Sequence, residues 1–256
     1  MKIEMVKKDS NSIVFILDDV DVSIANALRR TIISEVPTLA IEEVSFKKNS
    51  SSFFDEILSH RLGMVPIKTD LEIFNFKEDC GCKGKGCPSC SLTLSLSKVG
   101  PGIVYSDDLI SEDAKLMPKK GIPILKLGKG QEIQLEANAV LGKGVTHAKW
   151  QPGIASYRYY PQVKITKECN ACEACIKTCP TNVFKLSRGK ITVKEYDCIL
   201  CNSCIDVCEY KAIKVKGNNN KFIFRVESTG ALTPEEMFNK SCDIIQTKSK
   251  VLAELL

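Results

Sequence analysis

The chain has 256 residues, 44% of them apolar and 26% charged, which places it among ordinary globular proteins and excludes a disordered or fibrous one. Its longest strongly apolar run, Ile13 to Leu17, is far short of the ~20 residues a membrane helix needs, and the charged stretch Met1 to Ser10 has no signal-peptide core. The expected setting is therefore cytoplasmic and reducing, and a formal charge of +5, with every thiol counted neutral, points only faintly to a polyanionic partner.

At about 150 residues per domain the length predicts roughly two domains. Residues 1–46 read as strand, strand, helix, strand. Ile13 to Leu17 is rich in strand formers and ends at Asp18-Asp19, a turn signal. A helix follows, with Asp21 or Ser23 as N-cap and an apolar stripe at Ile24, Leu28, Ile32 and Val36, until Pro37 biases Val36 out of the helical region. A short helix fits Phe53 to Leu62, capped by Ser52 and closed by Gly63. Ser91 to Ser97 alternates strictly between polar and apolar, the mark of a strand with one buried face. Ile122 to Leu127, Glu132 to Val140 and Tyr157 to Ile165 are further strands, punctuated by Gly128, Gly130, Gly142 and Gly144. Lys221 to Val226 is another. The last helix opens on a capping box of Thr233 and Glu236 with Pro234 as its first residue, and Phe238, Cys242, Ile245, Leu252 and Leu255 share one face.

The thirteen cysteines fall into four from Cys80 to Cys90, eight from Cys169 to Cys208, and Cys242 alone. Disulfide frameworks suit small secreted chains, so clustered cysteines in a reducing setting point to metal. Cys80-x-Cys82-x4-Cys87-x2-Cys90 offers four thiolates, with Gly81, Gly84 and Gly86 permitting a tight wrap. Such a set suits Zn²⁺ in a closed structural site; the Cys-x-Cys gap is shorter than the usual knuckle, and a metal-free loop is the alternative.

Cys169-x2-Cys172-x2-Cys175-x3-Cys179-Pro180 is followed, at an offset of 29 residues, by Cys198-x2-Cys201-x2-Cys204-x3-Cys208. This is the bacterial ferredoxin run, in which the fourth cysteine of each half serves the other cluster. Three thiolates at two-residue gaps wrap three corners of an iron–sulfur cube, and the repeat supplies each fourth corner reciprocally. One 4Fe–4S cluster would use Cys169, Cys172, Cys175 and Cys208, the second Cys179, Cys198, Cys201 and Cys204. Zinc and disulfides are the alternatives, but zinc takes isolated pairs rather than tandem triplets. Residues 169–216 carry eight Lys/Arg against five Asp/Glu, a sign that disfavours a free-standing carrier docking through acidic patches. Strand material on both sides marks the segment as an insertion.

The flanking residues carry a family resemblance. Ala25-Asn26-Ala27-Leu28-Arg29-Arg30-Thr31-Ile32-Ile33-Ser34-Glu35-Val36-Pro37, then Ala40-Ile41-Glu42-Glu43-Val44, resembles the α-type subunits of multisubunit RNA polymerases. Ser59-His60-Arg61-Leu62-Gly63-Met64-Val65-Pro66-Ile67, Ser106-Asp107-Asp108-Leu109 and Gly144-Val145-Thr146-His147-Ala148-Lys149-Trp150 are similar to further signatures of that family, and with the inserted module the chain resembles its archaeal branch. The resemblance implies an α+β fold in three parts: a dimerisation domain from residues 1–45 and 222–256, an inserted β-rich domain from 46–166 and 217–221, and a ferredoxin-like domain at 167–216. It also implies a non-catalytic subunit that pairs with a small subunit L and, with small subunits N and P, forms a platform for the two large catalytic subunits. The helices at 23–36 and 234–256 would then meet each other and the partner, with Arg29, Arg30, Phe238, Ile245 and Leu252 at the interface; a solvated basic face and an intrachain core are the plainer readings.

No catalytic residue is expected. His60 and His147 have no nucleophile and orienting acid at matching spacing, and Gly142-x-Gly144 lacks the rest of a phosphate-binding fingerprint. An electron-transfer protein is the competing function, carried by the eight-cysteine module alone. Each four-thiolate site, cluster or zinc, carries about −2 once its thiols are deprotonated. Three of them take the formal +5 to about −1, which fits protein assembly better than a direct grip on nucleic acid.

Overall fold

In the computed structural model, which describes residues 1–256, the chain opens as β1 (Lys2–Lys8), β2 (Ser12–Asp18), α1 (Val22–Ser34) and β3 (Pro37–Asn49). Asp21, not Ser23, starts α1. Its carboxylate accepts the Ser23 backbone N–H at 2.8 Å and the Ser23 hydroxyl at 2.6 Å, and its carbonyl accepts the Ile24 and Ala25 N–H groups. Leu28, Ile32 and Val36 are buried as expected, but Ile24 is 51% exposed and Ala25 takes the buried place beside it.

The second helix, α2 (Asp55–Gly63), begins two residues later than expected, and Ser52 does not cap it. The turn before it is held instead by the Asn49 side-chain amide, which donates to the Phe53 carbonyl at 2.9 Å and to the Asp55 carboxylate at 2.7 Å. Asp55 and Glu56 in its first turn and His60 and Arg61 in its last complement the helix dipole.

The chain divides into two compact units, one of Met1–Val6, Val14–Asn26 and Ser156–Arg225, the other of Lys7–Ile13, Ala27–Ala155 and Val226–Leu256. The second unit holds β4 (Ser91–Val99), β5 (Gly102–Tyr105), β6 (Ile110–Ser111), β7 (Pro123–Leu127) and β8 (Glu132–Lys143). Its main sheet runs β3-β8-β4-β6, antiparallel throughout, and β5 pairs with β7. The alternation in β4 is real: Leu92, Leu94 and Leu96 are buried and lie opposite Ala139, Ala137 and Leu135. In the first two pairs a large residue faces a small one, an arrangement that fills a layer without voids. Leu58 and Leu62 of α2 and Ile124, Leu125 and Leu127 of β7 complete this core.

Gly142 is not punctuation. It lies inside β8, and a Cβ there would sit 2.3 Å from the Trp150 ring. Trp150 is locked over it: its indole N–H donates to the Val140 carbonyl at 3.1 Å, and its own carbonyl accepts the Thr38 hydroxyl at 2.9 Å. Lys149 lies 4.4 Å from the ring centre and pairs with Glu42. The last helix, α5 (Pro234–Glu254), starts with the expected capping box, Glu236 N–H to the Thr233 hydroxyl and Thr233 N–H to the Glu236 carboxylate. A cap of this kind is worth about 1 kcal/mol.

A further four-stranded sheet runs β1-β2-β12-β9, where β9 is Gly153–Ile165 and β12 is Ile213–Ser228. Phe15 stacks on Phe224 at 5.3 Å and Tyr157 meets Phe222 edge-on at 5.4 Å. β12 is far longer than Lys221 to Val226. It continues through Gly217-Asn218-Asn219-Asn220, residue types depleted in strands, and the Asn220 carbonyl accepts the Val20 N–H at 3.0 Å. Gly217 must be small: a Cβ would lie 2.7 Å from that of Tyr159. Between β9 and β12 the chain forms α3 (Ala174–Thr178), β10 (Phe184–Ser187), β11 (Lys190–Val193) and α4 (Ser203–Asp206). No helix of the protein is long and apolar enough to cross a membrane.

Candidate metal centres

The sulfurs of Cys80, Cys82, Cys87 and Cys90 all lie within 4.8 Å of one another. Cys80–Cys87 and Cys82–Cys90 are 3.5 Å apart and Cys87–Cys90 3.8 Å. Tetrahedral zinc with Zn–S bonds of about 2.3 Å places its sulfurs about 3.8 Å apart, so the donor set has the size of a zinc site. Left-handed Lys83, Gly84 and Gly86 make the wrap, and the Cys87 N–H points at the Cys90 sulfur at 3.4 Å. Burial pushes the Cys90 thiol up to about 12. Burial also opposes ionisation of Cys82, but hydrogen bonds from the Cys80 and Cys90 thiols and the Gly86 N–H prevail and bring it down to about 6. A metal entering this site displaces protons from the remaining thiols, so its affinity falls as pH falls. Cys82→Ser is expected to lower zinc affinity at least about tenfold, read as metal left on the chain after dialysis against a chelator.

Cys169, Cys172, Cys175 and Cys208 line one small hollow, with Ile191, Tyr210 and Ile213 among its other walls. The fold thus brings Cys208 from the second half of the repeat to the three cysteines of the first. The other quartet is also gathered: Cys204 is pushed up to about 11, first by burial and then by the neighbouring thiols of Cys198, Cys179 and Cys201. Cys175 is raised by burial and by Cys169 and Cys172. Cys201 is lowered instead by hydrogen bonds from Ser203, whereas Cys175 and Cys204, disfavoured as thiolates by burial and by neighbouring thiolates, would ionise more readily beside a cation.

The repeat is written into the backbone as well. Left-handed residues occur in three pairs, each 29 residues apart: Ala171 and Leu200, Glu173 and Asn202, Asn182 and Lys211. The Val183 N–H donates to the Cys179 sulfur at 3.4 Å, and its repeat mate, the Ala212 N–H, to the Cys208 sulfur at 3.3 Å. Backbone N–H groups aimed inward make an anion-binding concavity, here around sulfur. Val163, Val183, Phe184 and Ile213 form a small core under the cysteines. Sequence reasoning missed Arg158 on β9, whose Nη1 donates to the Cys198 carbonyl and Nη2 to the Tyr196 carbonyl at 2.7 Å. Nothing local in sequence signals a contact across 40 residues.

Of the expected interface residues, Arg29 is half-buried and engaged, Arg30 is exposed, and Phe238 and Ile245 are half-buried. Leu252 is 60% exposed and Leu255 78%, so the far end of α5 presents an apolar row. Cys242, which shares the helix face of Phe238 and Ile245 in the sequence, is exposed. His147 accepts the Lys149 N–H at 3.1 Å and meets Trp150 edge-on, a structural role. His60 is exposed at the end of α2.

Residues 14–249 match the model of the RNA polymerase Rpb3/Rpb11 dimerisation domain. The chain is 41% identical to DNA-directed RNA polymerase subunit Rpo3 of Archaeoglobus fulgidus, an alignment covering 100% of this chain and 97% of that one. Identity to the Rpo3 of Methanothermobacter thermautotrophicus is 41%, over 98% of this chain and 97% of the relative. DNA-directed RNA polymerase II subunit rpb3 of Dictyostelium discoideum is 36% identical over 96% of this chain and 92% of its own.

Proposed function

This chain belongs to the RNA polymerase Rpb3/Rpb11 dimerisation-domain family, and from that premise we propose that it is the Rpo3-type, non-catalytic assembly subunit of an archaeal DNA-directed RNA polymerase in the cytoplasm. It pairs with the small L-type subunit, and the pair, with small subunits N and P, is the platform on which the large catalytic subunits assemble. The observation that carries this reading is identity of about two residues in five to Rpo3 chains along the full length. The exposed apolar row on α5 supports it, since a lone soluble chain gains nothing from Leu252 and Leu255 in water.

Residues 1–45 and 222–256 form the dimerisation domain in this reading, 46–166 and 217–221 the β-rich insertion, and 167–216 a ferredoxin-like domain. Cys169, Cys172, Cys175 and Cys208 hold one 4Fe–4S cluster, Cys179, Cys198, Cys201 and Cys204 a second, and Cys80, Cys82, Cys87 and Cys90 hold zinc. When bound, such a cluster supplies a four-point cross-link and a one-electron couple. The protein's own part is to gather the thiols, aim the N–H groups of Val183 and Ala212 at them and bury Cys175, Cys198 and Cys204. The ferredoxin-type electron carrier is the weaker reading, because the family match spans the rest of the chain.

Co-expression with an L-type subunit, followed by the mass of the isolated species, tests the proposal: a one-to-one complex is expected, and a chain that stays alone overturns it. Ile245→Glu places a charge where the partner would cover α5. Burying an uncompensated charge costs several kcal/mol, so partner affinity is expected to fall by at least about a hundredfold while the isolated chain stays folded.

A further inference from the structure

One cation reaches the cysteine repeat from outside it. Arg158 is half-buried on β9, and its fork holds two carbonyls, those of Tyr196 and of Cys198. Its guanidinium also lies 5.6 Å from the centre of the Tyr196 ring. Two parallel donors fix a guanidinium far more closely than one, and its charge persists at every pH the fold survives. The carboxylate of Glu195 is taken by the Val163 N–H at 2.9 Å, while Asp197 and Lys194 line the open cleft beside Tyr160 and Tyr196. Cys198 itself is buried, and its sulfur accepts the Leu200 N–H at 3.4 Å. The 29-residue symmetry breaks at this point, because both carbonyls held by Arg158 belong to the second half of the repeat.

We propose that Arg158 is a positioning residue for the second iron–sulfur site, fixing the Cys198 loop and raising the reduction potential of the cluster held by Cys179, Cys198, Cys201 and Cys204. The inference rests on the two-cluster reading above. A cluster with four thiolates goes from about −2 to about −3 on accepting one electron, so a fixed positive charge beside its ligand loop favours the reduced state. The first cluster, ligated through the Cys169 loop, lies outside this clamp.

The full chain, reconstituted anaerobically with iron and sulfide, is titrated with dithionite and followed by electron paramagnetic resonance. Arg158→Gln is expected to keep about eight iron atoms per chain and to make one cluster about tenfold harder to reduce, a fall of about 59 mV for a one-electron couple. The second couple should not move, and Arg158→Lys should restore most of the loss. In a Cys172→Ser background, which removes the first cluster, the remaining signal should be the one that responds. Unchanged potentials in Arg158→Gln, equal shifts in both clusters, or no recovery in Arg158→Lys would each overturn the inference. If Arg158→Gln cannot retain the second cluster, Arg158→Lys decides alone: a near-native potential supports the role of charge, and a tenfold loss refutes it. A chain that binds no iron at all removes the two-cluster reading together with this one, whereas iron with immobile potentials removes only this one.

Discussion

Cys198→Ser is expected to cut bound iron to half or less and to make residues 166–216 sensitive to protease. Cys198 is buried, its loop is held by Arg158 and the Leu200 N–H, and in the proposed two-cluster reading it is a ligand of the second cluster. Serine keeps the volume but loses the soft thiolate that iron–sulfur clusters require. The segment has few other means of staying folded: its helices α3 and α4 are five and four residues long, and its apolar core is small. In a module of this size metal binding free energy is folding free energy. In that reading each half lends one cysteine to the cluster of the other, and Cys198 belongs to the second site alone. Iron and sulfide counts under anaerobic conditions read the effect, and unchanged iron would refute the ligand assignment. Capture of the small partner is expected to survive. Its loss in the same variant would instead make cluster content a control on polymerase assembly.

The second large effect lies at the start of β9. Gly153→Ala is expected to destabilise the fold by about 3 kcal/mol, because an added Cβ would lie 2.0 Å from the Glu227 carbonyl oxygen and 2.7 Å from Met237 Cε. Met237 is fully buried and the carbonyl belongs to β12, so neither can withdraw cheaply. For a chain of this length the melting midpoint should drop by roughly 6–12 °C. Gly102→Ala is the control: nothing lies within 4 Å of its Cβ, and the midpoint should stay put.

Local chemistry was legible where a motif acts within a few residues. The Thr233–Glu236 box and the alternation of β4 stand where the sequence puts them. The repeat offset was read from cysteines alone, yet it also fixes which non-glycine residues turn left-handed, such as Leu200 and Lys211. What escaped were features decided by distant partners. Gly142 reads as a breaker until Trp150 is laid across it. The strand expected at Lys221 to Val226 leaves out Asn218 to Asn220, through which β12 in fact runs. The start of α2 depends on Asn49, six residues before Asp55, rather than on the adjacent serine. Ile24 and Cys242 followed the helical period of apolar stripes and are nevertheless exposed. Periodicity says which residues share a face, not how far along the helix that face is covered.

Trp150 is the chain's sole tryptophan, 7% exposed, hydrogen-bonded to the Val140 carbonyl and roofed by the Lys149 ammonium. Its intrinsic fluorescence therefore reports on one unit of the protein and is silent on the cysteine repeat, where Tyr196 and Tyr210 are the only aromatic hydroxyls. Visible absorption from iron–sulfur charge transfer would report on the repeat alone. The two optical signals partition the molecule without any label, so a single heated or oxidised sample can be asked which unit gives way first.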